Sequence, residues 1–139
     1  MRLMGFNFEK ICVERLKDKV ENLKMNMNID ILDIKEVKTD FLKNKEDIVQ
    51  INFLYSVKYE PDFANVDLKG NMIIALDEVP AKEVFKEWKK KKMPDDFRTA
   101  IFNVILSKAT IKALQLEDEV NLPLHAPLPS ISPNKEKEK

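Results

Sequence analysis

The stretch that decides the fold runs Glu46-Asp-Ile-Val-Gln-Ile-Asn-Phe-Leu-Tyr-Ser-Val-Lys-Tyr59, then Glu60-Pro-Asp-Phe63, then Ala64-Asn-Val-Asp-Leu-Lys-Gly-Asn-Met-Ile-Ile-Ala-Leu76. In its first half Val49, Ile51, Phe53, Tyr55, Val57 and Tyr59 occupy every second position. Side chains at that period share one face of a β-strand. Val66, Leu68, Gly70, Met72, Ile74 and Leu76 repeat the pattern in the second half. The segment Tyr59 to Phe63 is the connection, so the pair reads as two long antiparallel strands with one strongly apolar face.

Upstream, the alternation changes phase twice. Phe6 and Phe8 lie on one parity, Ile11 and Val13 on the other, with Cys12 between them. One extra residue in a strand reverses the face that follows, so a bulge near Glu9-Lys10 is expected. Met25, Met27, Ile29 and Ile31 likewise give way to Leu32 and Ile34. Both segments read as long, bent strands. The polar stretches 17–24 and 38–47 connect them, with Phe41-Leu42 an isolated apolar pair in the second.

Downstream the period becomes helical. Pro80 suits a first turn, Val84, Phe85 and Trp88 form a narrow stripe, and Lys89 to Lys92 crowd the end where cations are favoured. Met93-Pro94 ends this short helix, and Asp95-Asp96 begins a longer one with an acidic first turn. Ile101, Val104, Ile105 and Lys108 mark one of its faces; Phe102, Leu106, Ala109 and Ala113 mark another. A helix apolar on two sides has to be covered twice: the sheet supplies one cover, and a second subunit docked along Phe97 to Ala113 is expected to supply the other. Prolines 123, 127 and 129 then predict an extended segment on the core surface, anchored by Leu122, Leu124, Leu128 and Ile131. The expected architecture is α+β, a four-stranded antiparallel β-sheet followed by two helices packed on one face. One domain over 1–133 and a disordered tail over 134–139 are predicted.

Composition narrows the function. The chain has 139 residues, enough for one core, and 35% of them are charged. The abundance of Lys and Glu with few Gln resembles surfaces built for high temperature. Lys+Arg and Asp+Glu are equal at 24 each, so no net field draws the chain to nucleic acid or to an acidic membrane. One cysteine, Cys12, excludes an intramolecular disulfide and fits a reducing compartment. No apolar run has the length of a signal peptide core or a membrane span, so a cytoplasmic protein is expected.

Chemistry-bearing motifs are few. Gly5 and Gly70 are the only glycines, which leaves no phosphate-cradling loop. His125 and Cys12 are single and far apart, too few for a metal centre within one chain; Cys12 reads as a structural thiol and His125 as a loop imidazole. The pairs Asp30/Asp33 and Asp95/Asp96 read as a solvated strand face and a helix start. Lys89 to Lys92 beside Trp88 form the one basic cluster, which is either a solvated helix end or a nucleic-acid patch with Trp88 stacking on a base. No cofactor, metal or catalytic residue is predicted. The more informative signal is apolar residues in or beside connections: Phe41, Leu42, Phe63, Phe85, Trp88 and Met93. Exposed patches of Met and aromatic side chains suit binding of varied apolar peptides.

The whole layout resembles the SecB family of export chaperones and their SecB-like relatives. Phe6-Asn-Phe8-Glu-Lys-Ile11-Cys-Val-Glu-Arg15 is similar to the family's first strand, and residues 48–59 and 66–76 to its third and fourth. The long helix leading into Leu122-Pro-Leu-His-Ala-Pro-Leu-Pro129 resembles its final helix and tail, so the resemblance covers about residues 6–131. It implies an ATP-independent holdase for unfolded polypeptides or preproteins, assembled as a dimer of dimers. By position it places Phe41-Leu42 and the Phe85, Trp88, Met93 junction along the client groove. The slightly basic end Asn134-Lys-Glu-Lys-Glu-Lys139 departs from the family's acidic tail, which argues against delivery to a SecA-type motor. A chaperone dedicated to one partner, such as an antitoxin, is the alternative within the family; a nucleic-acid module using Trp88 and Lys89 to Lys92 is the alternative outside it, and a small-ligand protein or hydrolase with an apolar cavity is the third.

Overall fold

The structure, a computed structural model, describes residues 1–37, 46–131 and 133. Four strands and two helices follow in chain order: β1 (Arg2–Arg15), β2 (Lys24–Val37), β3 (Glu46–Glu60), β4 (Ala64–Asp77), α1 (Glu78–Trp88) and α2 (Asp95–Glu119). The fold is α+β, as expected from the change of period at residue 77.

The sheet has the order β1-β4-β3-β2, with every neighbouring pair antiparallel. β3 and β4 form the central hairpin, so β1 and β2 are both edge strands and the chain crosses the sheet between them. The alternating residues pair as a register: Tyr55 opposite Leu68, Phe53 opposite Gly70, Ile51 opposite Met72. Register shifts fall between Phe8 and Lys10 and between Ile31 and Asp33, where the sequence parity changes. A further shift between Leu3 and Gly5, around Met4, has no counterpart in the alternation and was not expected.

The two faces of the sheet differ sharply. On the inner face Val49, Ile51, Phe53, Tyr55, Val57, Val66, Leu68, Met72 and Ile74 are fully buried. They pack with Ala81 and Val84 of α1 and with the buried row of α2. The opposite face carries Asn7, Asn71 and Asn52 in one cross-strand row and Cys12, Asp67, Ser56 and Asn28 in another. Those polar groups, with a half-buried Cys12 thiol and a buried Ser56 among them, mark the more polar face.

The buried row of α2 is Phe97, Ile101, Ile105, Ala109, Ala113 and Glu117, one residue in four. This corrects the two-face reading: Ala109 and Ala113 belong with Ile101 and Ile105, while Phe102, Val104 and Leu106 are half-buried flanks. A spacing of four follows an inclined ridge of the helix surface, so a single row can face the sheet along an obliquely crossing helix. The residues from Phe97 to Ala113 expected to meet a second subunit thus include the row that faces this chain's own sheet. Further out, Ile111 is exposed on the helix.

The proline-rich segment is also anchored only in part. Leu122 is buried and Leu124 half-buried, but Leu128 and Ile131 are 58% and 83% exposed. The anchoring expected of the last two is not present.

Candidate functional site

Geometry on the inner face follows from strand order. The helices cover the central strands β3 and β4, and the apolar rows of both edge strands extend beyond that cover. On β2, Met25 lies opposite Tyr59, Met27 opposite Val57, and Ile29 opposite Tyr55, all on the buried side of the register. Yet Met25 and Met27 are 41% and 43% exposed, with Ile29 and Ile31 half-buried beyond them. On β1, Leu3 opposite Ile74 and Ile11 opposite Leu68 are also exposed, flanking half-buried Phe6 and Phe8. Phe6 packs on Phe53 at 5.1 Å between ring centroids, and the Lys108 ammonium lies 5.8 Å above its ring. Each edge therefore offers an apolar strip together with a strand whose outer backbone groups, among the described residues, have no partner strand.

The predicted site residues do not gather at one place. Phe63 is buried in the β3–β4 turn, where its amide donates to Tyr59 O and its carbonyl accepts from Leu16 N. The Arg15 guanidinium stacks 5.3 Å from its ring centroid. Phe63 also borders a cavity of about 600 Å³ with Val20, Leu23 and Pro123. At the other end of the sheet, Phe85, Trp88 and Met93 are half-buried against the core. The Trp88 indole donates to Asp33 Oδ1 at 3.3 Å, and the Lys91 ammonium lies 4.7 Å over its ring. Phe41 and Leu42 lie outside the described residues. Asp33, which holds Trp88, pairs with Asn52, and Phe63 abuts Tyr59, so the two places are separated along β3 by roughly 23 Å at about 3.3 Å per residue. The row Met25, Met27, Ile29 and Ile31 joins them. Sequence reasoning had this alternation but missed its exposure, because alternation assigns a face and says nothing of whether α2 reaches it.

A second polar feature went unrecognised. Glu117 ends the buried row of α2 and is fully enclosed. Its carboxylate accepts from the backbone N–H of His125 at 2.9 Å and from His125 Nδ1 at 2.6 Å. The far nitrogen of the same ring, Nε2, lies 2.6 Å from the Tyr55 hydroxyl, which lies 3.1 Å from Thr110 Oγ1. Tyr59 donates to the carbonyl of Pro123. Burial raises the hydroxyl pKa of Tyr55, and the Glu117 charge adds to that against the opposing Thr110 hydrogen bond. Burial and then Glu117 raise Tyr59 further. Both hydroxyls are thereby held protonated, as hydrogen-bonding groups and not as nucleophiles. His125 is thus a packed imidazole, remote from Cys12 on the more polar face.

A second cavity, of about 670 Å³, opens between the helices and is lined by Leu76, Pro80, Val84 and Phe97 with Asp77, Glu83, Asp95 and Asp96. Asp77, Asp95 and Asp96 sit at helix starts, where the helix dipole favours them, while Glu83 lies in the middle of α1. Among the described residues no three His, Cys, Asp or Glu side chains are grouped to hold a metal ion, and no helix is long and apolar enough to cross a membrane.

No protein-family model and no curated protein matches the chain. Among solved structures it is similar to a SecB-like chaperone of Mycobacterium tuberculosis, in complex with a peptide from an antitoxin. That similarity has 13% sequence identity and a TM-score of 0.49, over 94% of this chain and 89% of the other.

Proposed function

We propose that the chain is an ATP-independent holdase that binds unfolded polypeptide segments along the inner face of its sheet. The observation that carries this reading is the apolar row Met25, Met27, Ile29 and Ile31, which turns toward the core side of β2 yet stays partly open to solvent. Flexible methionines at the open end accept side chains of different shapes. Burial of client apolar area stabilises the complex by about 25 cal/mol per Å², offset by the entropy of restraining a disordered chain. The edge backbone adds hydrogen bonds that are indifferent to client sequence. Phe85, Trp88 and Met93 would close the groove at the helix junction and Phe63 would support its other end. Assembly into a homo-oligomer and residence in the cytoplasm belong to the same reading.

The test is dilution of an unfolded model protein from denaturant, followed by light scattering without nucleotide. Suppression near stoichiometric ratios, lost in Met25→Ser/Met27→Ser, is the expected result; no suppression by the intact protein overturns the reading. Service to many export clients and service to one dedicated partner, such as an antitoxin, differ measurably: a dedicated chaperone protects its partner and leaves unrelated unfolded proteins to aggregate. The nucleic-acid reading is less well supported, because the Trp88 ring already carries Lys91 on its face and its N–H is engaged by a carboxylate.

A further inference from the structure

The inner face of β3 carries only two polar groups along Val49, Ile51, Phe53, Tyr55, Val57 and Tyr59: the hydroxyls of Tyr55 and Tyr59. The segment that follows α2 engages both. Pro123 offers its carbonyl to Tyr59, and His125 reaches Tyr55 at 2.6 Å. Passing from Tyr59 to Tyr55, the segment runs opposite in direction to β3, at the levels where β2 places Met25 and Ile29 across from those two tyrosines. It therefore lies level with the strip that a client would occupy, bent at His125-Ala126, with Leu122 buried and Leu124 half-buried.

Its two ends are built differently. At the start, Asn121 takes a positive φ of 59°, Leu122 N donates to Glu117 O at 2.8 Å, and Arg15 binds the carbonyls of Val120 and Asn121 at 3.3 and 3.4 Å. This is a firm helix terminus from which the strap can turn. Beyond Ala126 the apolar residues Leu128 and Ile131 are exposed. In the distal half of the strap Leu124 and Ala126 are half-buried, and His125 supplies the hydrogen bonds, to Tyr55 and to Glu117.

We propose that residues 122–126 are an internal competitor for the groove beside β2, pinned shut by the His125–Tyr55 bond, and that an extended apolar client enters by displacing them. The inference rests on the polypeptide-binding reading above and adds its regulation. It also specifies the client: an extended segment with apolar side chains spaced as Leu122 and Leu124, and a carbonyl free to accept from Tyr59. The apparent affinity of such a client is reduced by the fraction of time the strap is open.

Two substitutions cut the pin from opposite sides without leaving Glu117 unpaired. Tyr55→Phe removes the hydroxyl and keeps the ring; His125→Asn keeps a short donor toward Glu117 and no longer reaches Tyr55. The probe is fluorescently labelled, carboxymethylated lactalbumin, a permanently unfolded chain, titrated with the full-length protein while hydrogen exchange is followed over residues 122–126. Faster exchange with a client Kd lower by about fivefold, the equivalent of one net hydrogen bond, is expected in both variants. Faster exchange with an unchanged or higher Kd makes the strap a structural brace and overturns the competitor. Unchanged exchange overturns the pin. Absence of probe binding by the wild-type protein and both variants overturns the polypeptide-binding reading itself, a result distinguishable from the other two. Should one variant fail to fold, the other decides alone.

Discussion

Nδ1 of His125 lies 2.6 Å from a carboxylate oxygen of Glu117, and the two side chains are 6% and 0% exposed. A carboxylate so enclosed is costly unless its lone pairs are filled. Here a ring nitrogen and a backbone N–H fill them, both from the same residue eight positions along the chain. The end of α2 and the distal half of the strap are therefore one polar unit.

Removing half of that unit should cost more than removing all of it. His125→Ala leaves Glu117 buried with only the backbone donor, and a loss of about 3–5 kcal/mol is expected, as for a broken buried pair. Glu117→Leu/His125→Ala removes the charge together with its partner. It should be clearly more stable than His125→Ala alone, a non-additivity that urea denaturation of the single and double variants measures.

The alkaline titration of the protein is governed by the same unit, since Tyr55 and Tyr59 are the only tyrosines. Burial raises both hydroxyls above the ordinary tyrosine value of 10.0. A raised folded-state pKa means that, above the ordinary value, the unfolded chain has released protons that the folded chain still holds. The corresponding stability is complete below pH 10 and is lost as pH rises toward the folded values. Tyrosinate absorbance near pH 10 should thus fall below that of a free phenol, which is half ionised there, and should rise further together with unfolding. A half-ionised signal at pH 10 in the folded protein would contradict the burial of both rings.

Gly70 makes a more local demand. A Cβ on it would overlap the carbonyl oxygen of Asn7 on β1 and meet Phe53 Cζ at 3.0 Å. The obstacle is backbone, which cannot rotate aside. Gly70→Ala should separate β1 from β4 around the Phe8–Gly70 pair, destabilising by about 1–3 kcal/mol, the range for overpacked cores. Faster amide exchange confined to β1 and the adjoining part of β4 would locate the effect. Gly5, with open space around its Cβ position, should accept alanine with little change.

Much of this architecture is legible in the sequence because strand alternation is a local signal. The Tyr59–Phe63 connection, the phase changes at Glu9 and Leu32, and the helix restart at Asp95 each follow from residues within a few positions. The site is less legible, since it depends on where α2 lies. Ala109 and Ala113 looked like a second face when every apolar residue of the helix was weighted alike; their small size instead allows α2 to approach the sheet. His125 looked like an isolated loop residue because its partners, Glu117 and Tyr55, are eight and seventy positions away. The exposure of Met25 and Met27 depends on the width of the sheet relative to one helix, which no local pattern records.

The last prediction separates groove residues from residues that merely close the core. Met25 and Met27 are partly exposed, so serine at both positions should change stability by less than about 1 kcal/mol. Phe63 is buried, and Phe63→Ala should cost about 3–5 kcal/mol. Client protection should follow the reverse order once each variant is assayed well below its own melting temperature. The methionine pair should lose most of the suppression of aggregation, the folded Phe63 variant should keep it, and Trp88→Ala should lie between, because its indole is half-buried against the core at what is proposed as the groove end. Equal protection by wild type and the methionine variant would place client contact elsewhere, with the strip along β1 lined by Leu3, Phe6, Phe8 and Ile11 as the next surface to substitute.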